Sequence, residues 1–295
     1  MLQISNLHRR FGEKQVLRGI DLNVPKGSIF GLAGQNGAGK TTIMKTILGL
    51  LAADTGDITV NGRPVVLGHT SADIGFLPDV PEFYNFLTAR EYLVFCGEIA
   101  GMKKADIALR STKLLDMVGL ENDNSRIKGF SRGMKQRLGI AQALMNRPKL
   151  LICDEPTSAL DPVGRREILD LLAQVKEETT ILFSTHILSD VERICTQVAF
   201  INEGVVCLQG SPQEIKAKYR TDKVLLETAN PADAQTLRRL FPAMQHIDET
   251  VMSFYMADYD PYVIFDTMRV HRINFVRAEQ VKPSLEELFA EVVKK

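Results

Sequence analysis

Two short segments concentrate the residues able to handle a phosphorylated substrate. The first, Gly34-Gln35-Asn36-Gly37-Ala38-Gly39-Lys40-Thr41-Thr42, fits the spacing G-x-x-x-x-G-K-[ST]. Its glycines let backbone N–H groups close around phosphate oxygens, and a helix starting there directs its positive end at them. Lys40 would reach the outer phosphates, and the Thr41 hydroxyl would sit on Mg²⁺. The second, Leu150-Leu151-Ile152-Cys153-Asp154-Glu155, is an apolar run ending in two carboxylates. Asp154 would hold Mg²⁺ through water, and Glu155 would polarise an attacking water. Acidic residues at a strand end are ordinary in isolation; beside a phosphate loop they imply hydrolysis.

These residues need a frame. Ser28 to Ala33 reads as a buried strand stopped by glycines, and Ile43, Met44, Ile47, Leu48 and Leu51 follow at helical spacing. Strand, loop and helix are the context a phosphate loop requires. Short strands are expected at Leu2 to Leu7 and Gly19 to Val24. A mostly helical insertion covers about residues 79–147, opened by the capping box Thr88-Ala89-Arg90-Glu91. Apolar runs return at 150–153, 180–183 and 198–201, the first two separated by a helical stretch from Gly164 to Glu178. A short helix with Pro212 at its first position runs to about Tyr219. Residues 221–295 alternate short strands and helices and end in a helix capped by Ser284, so they read as a small α+β appendage. That segment carries 9 basic and 12 acidic residues, a poor balance for nucleic acid.

Between the two chemical segments lies Phe130-Ser131-Arg132-Gly133-Met134-Lys135-Gln136-Arg137, which resembles the signature motif of ABC-type ATPases. The resemblance extends through Ser158-Ala159-Leu160-Asp161, similar to the family's D-loop, and Ser184-Thr185-His186, similar to its switch histidine. It covers about residues 2–220. It implies a phosphate-loop cassette with a mixed sheet core, an antiparallel β subdomain and an inserted helical subdomain. It further implies that ATP and Mg²⁺ bind, and that two cassettes pair head to tail with each ATP between one phosphate loop and the other's signature. Ser131 and Gly133 would then contact the γ-phosphate from a helix N-terminus. His186 would hold Glu155 and water in register. Phe11 matches the position of an aromatic ring stacked on adenine, a core phenylalanine being the other reading. Asp161 orders the dimer seam or makes a simple Asp-Pro turn. Phe83, Tyr84, Phe86, Tyr92 and Phe95 would receive a cytoplasmic helix of a membrane subunit or form subdomain core.

The sequence departs from the family pattern at three places. Arg132 stands where glycine is usual, Met134 where glutamine is usual, and Asp79 where a glutamine senses Mg²⁺ and the membrane partner. A carboxylate at 79 remains a hard oxygen ligand for Mg²⁺ but adds negative charge near the γ-phosphate. These variants, with the stretch from Pro283 to Phe289, look most like cassettes of ABC-2 type exporters of drugs and peptide antibiotics.

Composition sets the outer limits. The 295 residues are 45% hydrophobic and 24% charged, with 36 basic and 36 acidic residues, so no basic excess points to nucleic acid. No apolar stretch approaches the roughly 20 residues that span a bilayer, and the opening MLQISNLHRRFG does not read as a secretory signal. Cys96, Cys153, Cys195 and Cys207 form no CxxC pair and read as free thiols. The expectation is a cytoplasmic ATPase domain at 1–220 and an accessory domain at 221–295. It would be held on the cytoplasmic face of the membrane by permease subunits and paired with a second cassette. A soluble ABC-type ATPase of translation or DNA repair is the alternative, although the second cassette or long coiled coil usual there is missing. A phosphate-loop kinase lacks the signature, and no NKxD motif supports a GTPase.

Overall fold

The first elements of the chain are β1 (Leu2–Phe11), β2 (Lys14–Val24), β3 (Ile29–Ala33), α1 (Lys40–Ile47), β4 (Thr55–Val60), β5 (Arg63–Pro64) and β6 (Ile74–Leu77). The computed structural model describes residues 1–120, 124–217, 222–281 and 284–293. β1 and β2 form an antiparallel hairpin longer than its apolar pattern suggests, with Phe11 paired to Lys14 across Gly12 and Glu13. The outer half of the hairpin is exposed and polar, so it carries no hydrophobic signal. β4 and β5 complete an antiparallel sheet ordered β2-β1-β4-β5.

The helical insertion consists of α2 (Ala89–Ile99), α3 (Lys104–Met117), a 3₁₀ turn at Ile127–Gly129 and α4 (Arg132–Ala143). Thr88 and Glu91 close the expected capping box. After β7 (Leu150–Cys153) comes α5 (Pro162–Val175), then β8 (Thr180–Thr185), α6 (Leu188–Ile194), β9 (Gln197–Asn202), β10 (Val205–Gly210) and α7 (Pro212–Ala217). α5 starts two residues before the apolar periodicity does, because the Asp161 carboxylate accepts from Gly164 N and Pro162 occupies the first turn. Tyr219 lies outside the described residues.

The central sheet is ordered β10-β9-β3-β8-β7-β6. All of its strands run parallel except β10. Alternate residues feed two cores: Leu151, Cys153, Ile181 and Phe183 pack with the inserted helices, whereas Leu150, Ile152 and Leu182 pack with α1 and the antiparallel sheet. Cover on both faces explains why these strands are continuously apolar. Because β3, β6, β7 and β8 are parallel, their C-terminal ends share one edge. That edge is where an open α/β sheet places its ligands.

The chain divides into two compact units, Met1–Pro212 and Gln213–Lys295. In the second unit, β11 (Lys223–Thr228), α8 (Pro231–Leu240), β12 (Gln245–His246), β13 (Val251–Tyr255), α9 (Pro261–Val270), β14 (Phe275–Val281) and α10 (Leu285–Val293) follow in order. Its antiparallel sheet, β12-β13-β11-β14, has its own core around Leu226, Leu237, Met252, Phe254 and Ile264.

Candidate functional site

β3 is buried at every residue and turns sharply at Gly34. A Cβ at Gly34 would lie 2.3 Å from the Ile201 carbonyl oxygen, so no larger residue fits without moving backbone. At Gly39, which caps α1 with φ 110, a Cβ would meet Leu17 at 2.8 Å. These two glycines let the loop pass close to β9 and β2 and still enter the helix. Lys40 folds back over the loop, donating from Nζ to the carbonyls of Gly34 at 2.7 Å and Gln35 at 3.2 Å.

The ends of β7 and β8 meet the loop there. Lys40 Nζ lies 3.2 Å from Glu155 Oε1, and Glu155 Oε2 is 2.9 Å from His186 Nδ1. Thr41 Oγ1 donates to Asp154 Oδ2 at 2.9 Å. Glu155 holds a left-handed backbone with φ 46. For a non-glycine residue this conformation is strained by about 1–3 kcal/mol and is found at functional sites. Ser184 supports it: fully buried, it donates from Oγ to Asp154 Oδ1 at 2.6 Å and accepts from Glu155 N at 2.8 Å. A second buried network lies behind this one. There Asp190 accepts from Thr157 Oγ1 at 2.7 Å and from Arg165 Nε at 2.6 Å. Sequence reading gave Ser184 no role, although a serine inside a buried apolar strand was a visible signal.

An open cleft of about 400 Å³ lies among these groups, with Asn36, Lys40, Thr41, Asp79, Asp154 and Glu155 on its walls. Gly37, Gly39 and Thr42 also line it. Ala38, within the loop, is buried. His186 reaches the cleft through Glu155. Asp79 stands on the wall, where its Oδ1 accepts from Ser158 Oγ at 2.9 Å and lies 3.6 Å from Arg132 Nη2. Ser131 caps α4, its Oγ accepting from Met134 N at 3.2 Å, and neither Ser131 nor Gly133 lines the cleft. Phe11 is 47% exposed, with Arg9 stacked 4.8 Å from its ring centroid, which rules out a core phenylalanine. Asp161 makes the Asp-Pro turn as an N-cap. The aromatic cluster divides. Phe83 and Tyr92 pack on the core, edge to face at 5.1 Å, whereas Tyr84 and Phe86 are exposed.

The donor chemistry suits a small hard cation. Thr41 and Asp154 offer oxygen ligands side by side, with room beside them for phosphate oxygens, and Mg²⁺ is commonly held by one or two carboxylates plus substrate phosphates. Among the described residues no cluster of three or more His, Cys, Asp or Glu would hold a metal unaided. All four cysteines are free, and burial pushes the Cys153 thiol far up, so it is no nucleophile. The arrangement can bind a polyphosphate at a helix N-terminus, hold a cation against it and present a carboxylate base.

The chain is similar to known proteins. The ABC transporter family matches residues 17–158, and the C-terminal domain of DrrA1-3-like ATP-binding proteins matches 210–293. The uncharacterized ABC transporter ATP-binding protein YxlF of Bacillus subtilis (strain 168) is 35% identical over 99% of both chains. The linearmycin resistance ATP-binding protein LnrL of the same organism is 33% identical over 98% of this chain and 97% of its own. A solved ATP-binding subunit of an ABC transporter superposes with a TM-score of 0.67 at 32% identity, covering 74% of this chain and 92% of the other.

Proposed function

The chain belongs to the ABC transporter family as an ATP-binding and ATP-hydrolysing subunit, and from that premise we propose which residues do the work and for what machine. The supporting observation is the run of contacts Lys40–Glu155–His186 beside Thr41–Asp154 at the ends of parallel strands. The loop N–H groups of Gly34 to Thr42 and the Lys40 ammonium bind the phosphates of ATP. Thr41 and Asp154 hold Mg²⁺, which when bound offsets charge on the phosphate oxygens. Glu155 takes the proton of the attacking water, and His186 keeps its carboxylate in position. For this to happen Lys40 exchanges its loop carbonyls and Glu155 for phosphate oxygens when ATP binds, which leaves the carboxylate free to act as base. Phe11 offers its ring to adenine, with Arg9 held against it.

In this reading Ser131 and Gly133 serve the ATP of a second cassette, so the paired state contains two complete sites. The free energy of closure passes to integral membrane permease subunits, with exposed Tyr84 and Phe86 at the docking surface. Among the described residues no helix is long and apolar enough to cross a membrane, so permease contact would hold the subunit on the cytoplasmic face. Export is the favoured direction, since the name of LnrL speaks of linearmycin resistance. The 213–295 unit is an accessory domain. A soluble role in translation or DNA repair is not favoured, because the likeness to ABC transporter subunits runs along nearly the whole chain.

Purifying the tagged Glu155→Gln chain from detergent-solubilised membranes with ATP, and identifying what accompanies it, tests the transport reading. A stoichiometric polytopic membrane protein is expected; ribosomal or purely soluble partners would contradict it.

A further inference from the structure

Asp79 and Arg132 are oppositely charged residues 53 positions apart in sequence. The fold brings them together. Asp79 follows the end of β6 on the cleft wall, and Arg132 is the first residue of α4. Their side chains, each 45% exposed, meet at 3.6 Å. The same Asp79 oxygen accepts from Ser158 Oγ at 2.9 Å, and Ser158 N donates to the Glu155 carbonyl at 3.0 Å. One carboxylate therefore links three segments: the end of β6, the start of α4 and the turn that carries Glu155.

Electrostatics explains why the charges come as a pair. A cation in the first turn of a helix opposes the positive end of its dipole. Arg132 sits there, and no acidic residue in that turn offsets it. A carboxylate on a wall shared with Asp154 and Glu155 is likewise unfavourable alone, more so once a triphosphate enters. Pairing relieves both conflicts.

We propose that Asp79 and Arg132 are a compensating pair of positioning residues. The pair holds the Ser131–Gly133 turn to the cleft wall and screens the Asp79 charge from ATP, so losing Arg132 alone is worse for ATP binding than losing both. This rests on the reading of the cleft as the ATP site.

The test is a double-variant cycle on the full chain: wild type, Asp79→Gln, Arg132→Gly and the double variant. Equilibrium binding of a fluorescent ATP analogue with Mg²⁺ is measured at low and high salt. Arg132→Gly should weaken binding about three- to ten-fold at low salt, and most of that loss should vanish at high salt by screening. The double variant should return to within about two-fold of wild type. Arg132→Ala, which keeps helix propensity, should behave like Arg132→Gly. Single effects that multiply in the double variant, or a loss insensitive to salt, would overturn the pairing while leaving the cleft reading intact. A wild-type chain that binds no ATP would overturn the cleft reading and the pair with it.

Discussion

Replacing Glu155 by Gln separates binding from chemistry at this site. The side chain is only 14% exposed, with one oxygen 3.2 Å from Lys40 Nζ and the other 2.9 Å from His186 Nδ1. Glutamine keeps the length and one carbonyl oxygen but loses the charge and the capacity to take a proton. A positioned general base contributes about 10²–10⁴ in rate, so hydrolysis should fall by that factor, equivalent to about 3–5 kcal/mol on the barrier. Binding should move the other way. Lys40 no longer has a carboxylate competing for its ammonium, and the triphosphate meets one negative charge fewer, so ATP affinity should hold or rise by up to about ten-fold. The assay is phosphate release under saturating ATP, paired with equilibrium binding of the same preparation. Hydrolysis within about three-fold of wild type would refute Glu155 as base. A collapse of binding with hydrolysis would refute the claim that its charge opposes the nucleotide.

Other expectations follow from the same contacts. Ser184→Ala leaves Glu155 N and Asp154 Oδ1 short of a partner in a buried setting, so thermal or denaturant unfolding should show a loss of about 1–3 kcal/mol. Its kcat should fall more than its affinity for ATP, and an unchanged kcat would count against the support role. Gly34→Ala forces a Cβ to 2.3 Å from the Ile201 carbonyl oxygen, so the loop must shift; a stability loss of about 1–3 kcal/mol with weakened ATP binding is expected, and wild-type binding would show the loop more tolerant than argued. The hydrogen bond from Lys113 holds the Glu178 carboxyl below its ordinary range, with the Arg110 charge adding to the effect. The folded value lies below the unfolded one, so this stabilisation is complete above the ordinary carboxylate range and fades as pH falls through the lowered value. Half-exposed, the group is worth less than about 1 kcal/mol. Glu178→Gln should therefore cost that much at neutral pH in denaturant titrations, with the difference vanishing in acid; a constant difference down to low pH would contradict the assignment.

What could be read from sequence was local. The phosphate loop is one uninterrupted run, and the carboxylates of Asp154 and Glu155 terminate a strand whose apolar pattern reflects cover on both faces. Such features are written in consecutive residues. The outer half of the β1–β2 hairpin was missed because its exposed polar residues give no period, and β10 because it is a half-exposed edge. Ser184 gained its role only when β8 came to lie beside β7, joining residues about thirty apart in sequence. The partners of Asp79 were not legible either: Arg132 and Ser158 reach it from distant segments, and spacing alone does not reveal that meeting.

The account stands most directly on whether the cleft at the strand ends is where ATP binds. Equilibrium binding of ATP with Mg²⁺ to the wild-type full chain and to Lys40→Ala, with matched circular dichroism, decides it. Lys40 donates to two loop carbonyls and faces Glu155. The account predicts saturable binding by wild type and at least about a hundred-fold loss in a folded Lys40→Ala, in line with removal of a buried charge-assisted contact. Equal binding by the two proteins would place the nucleotide elsewhere and contradict it.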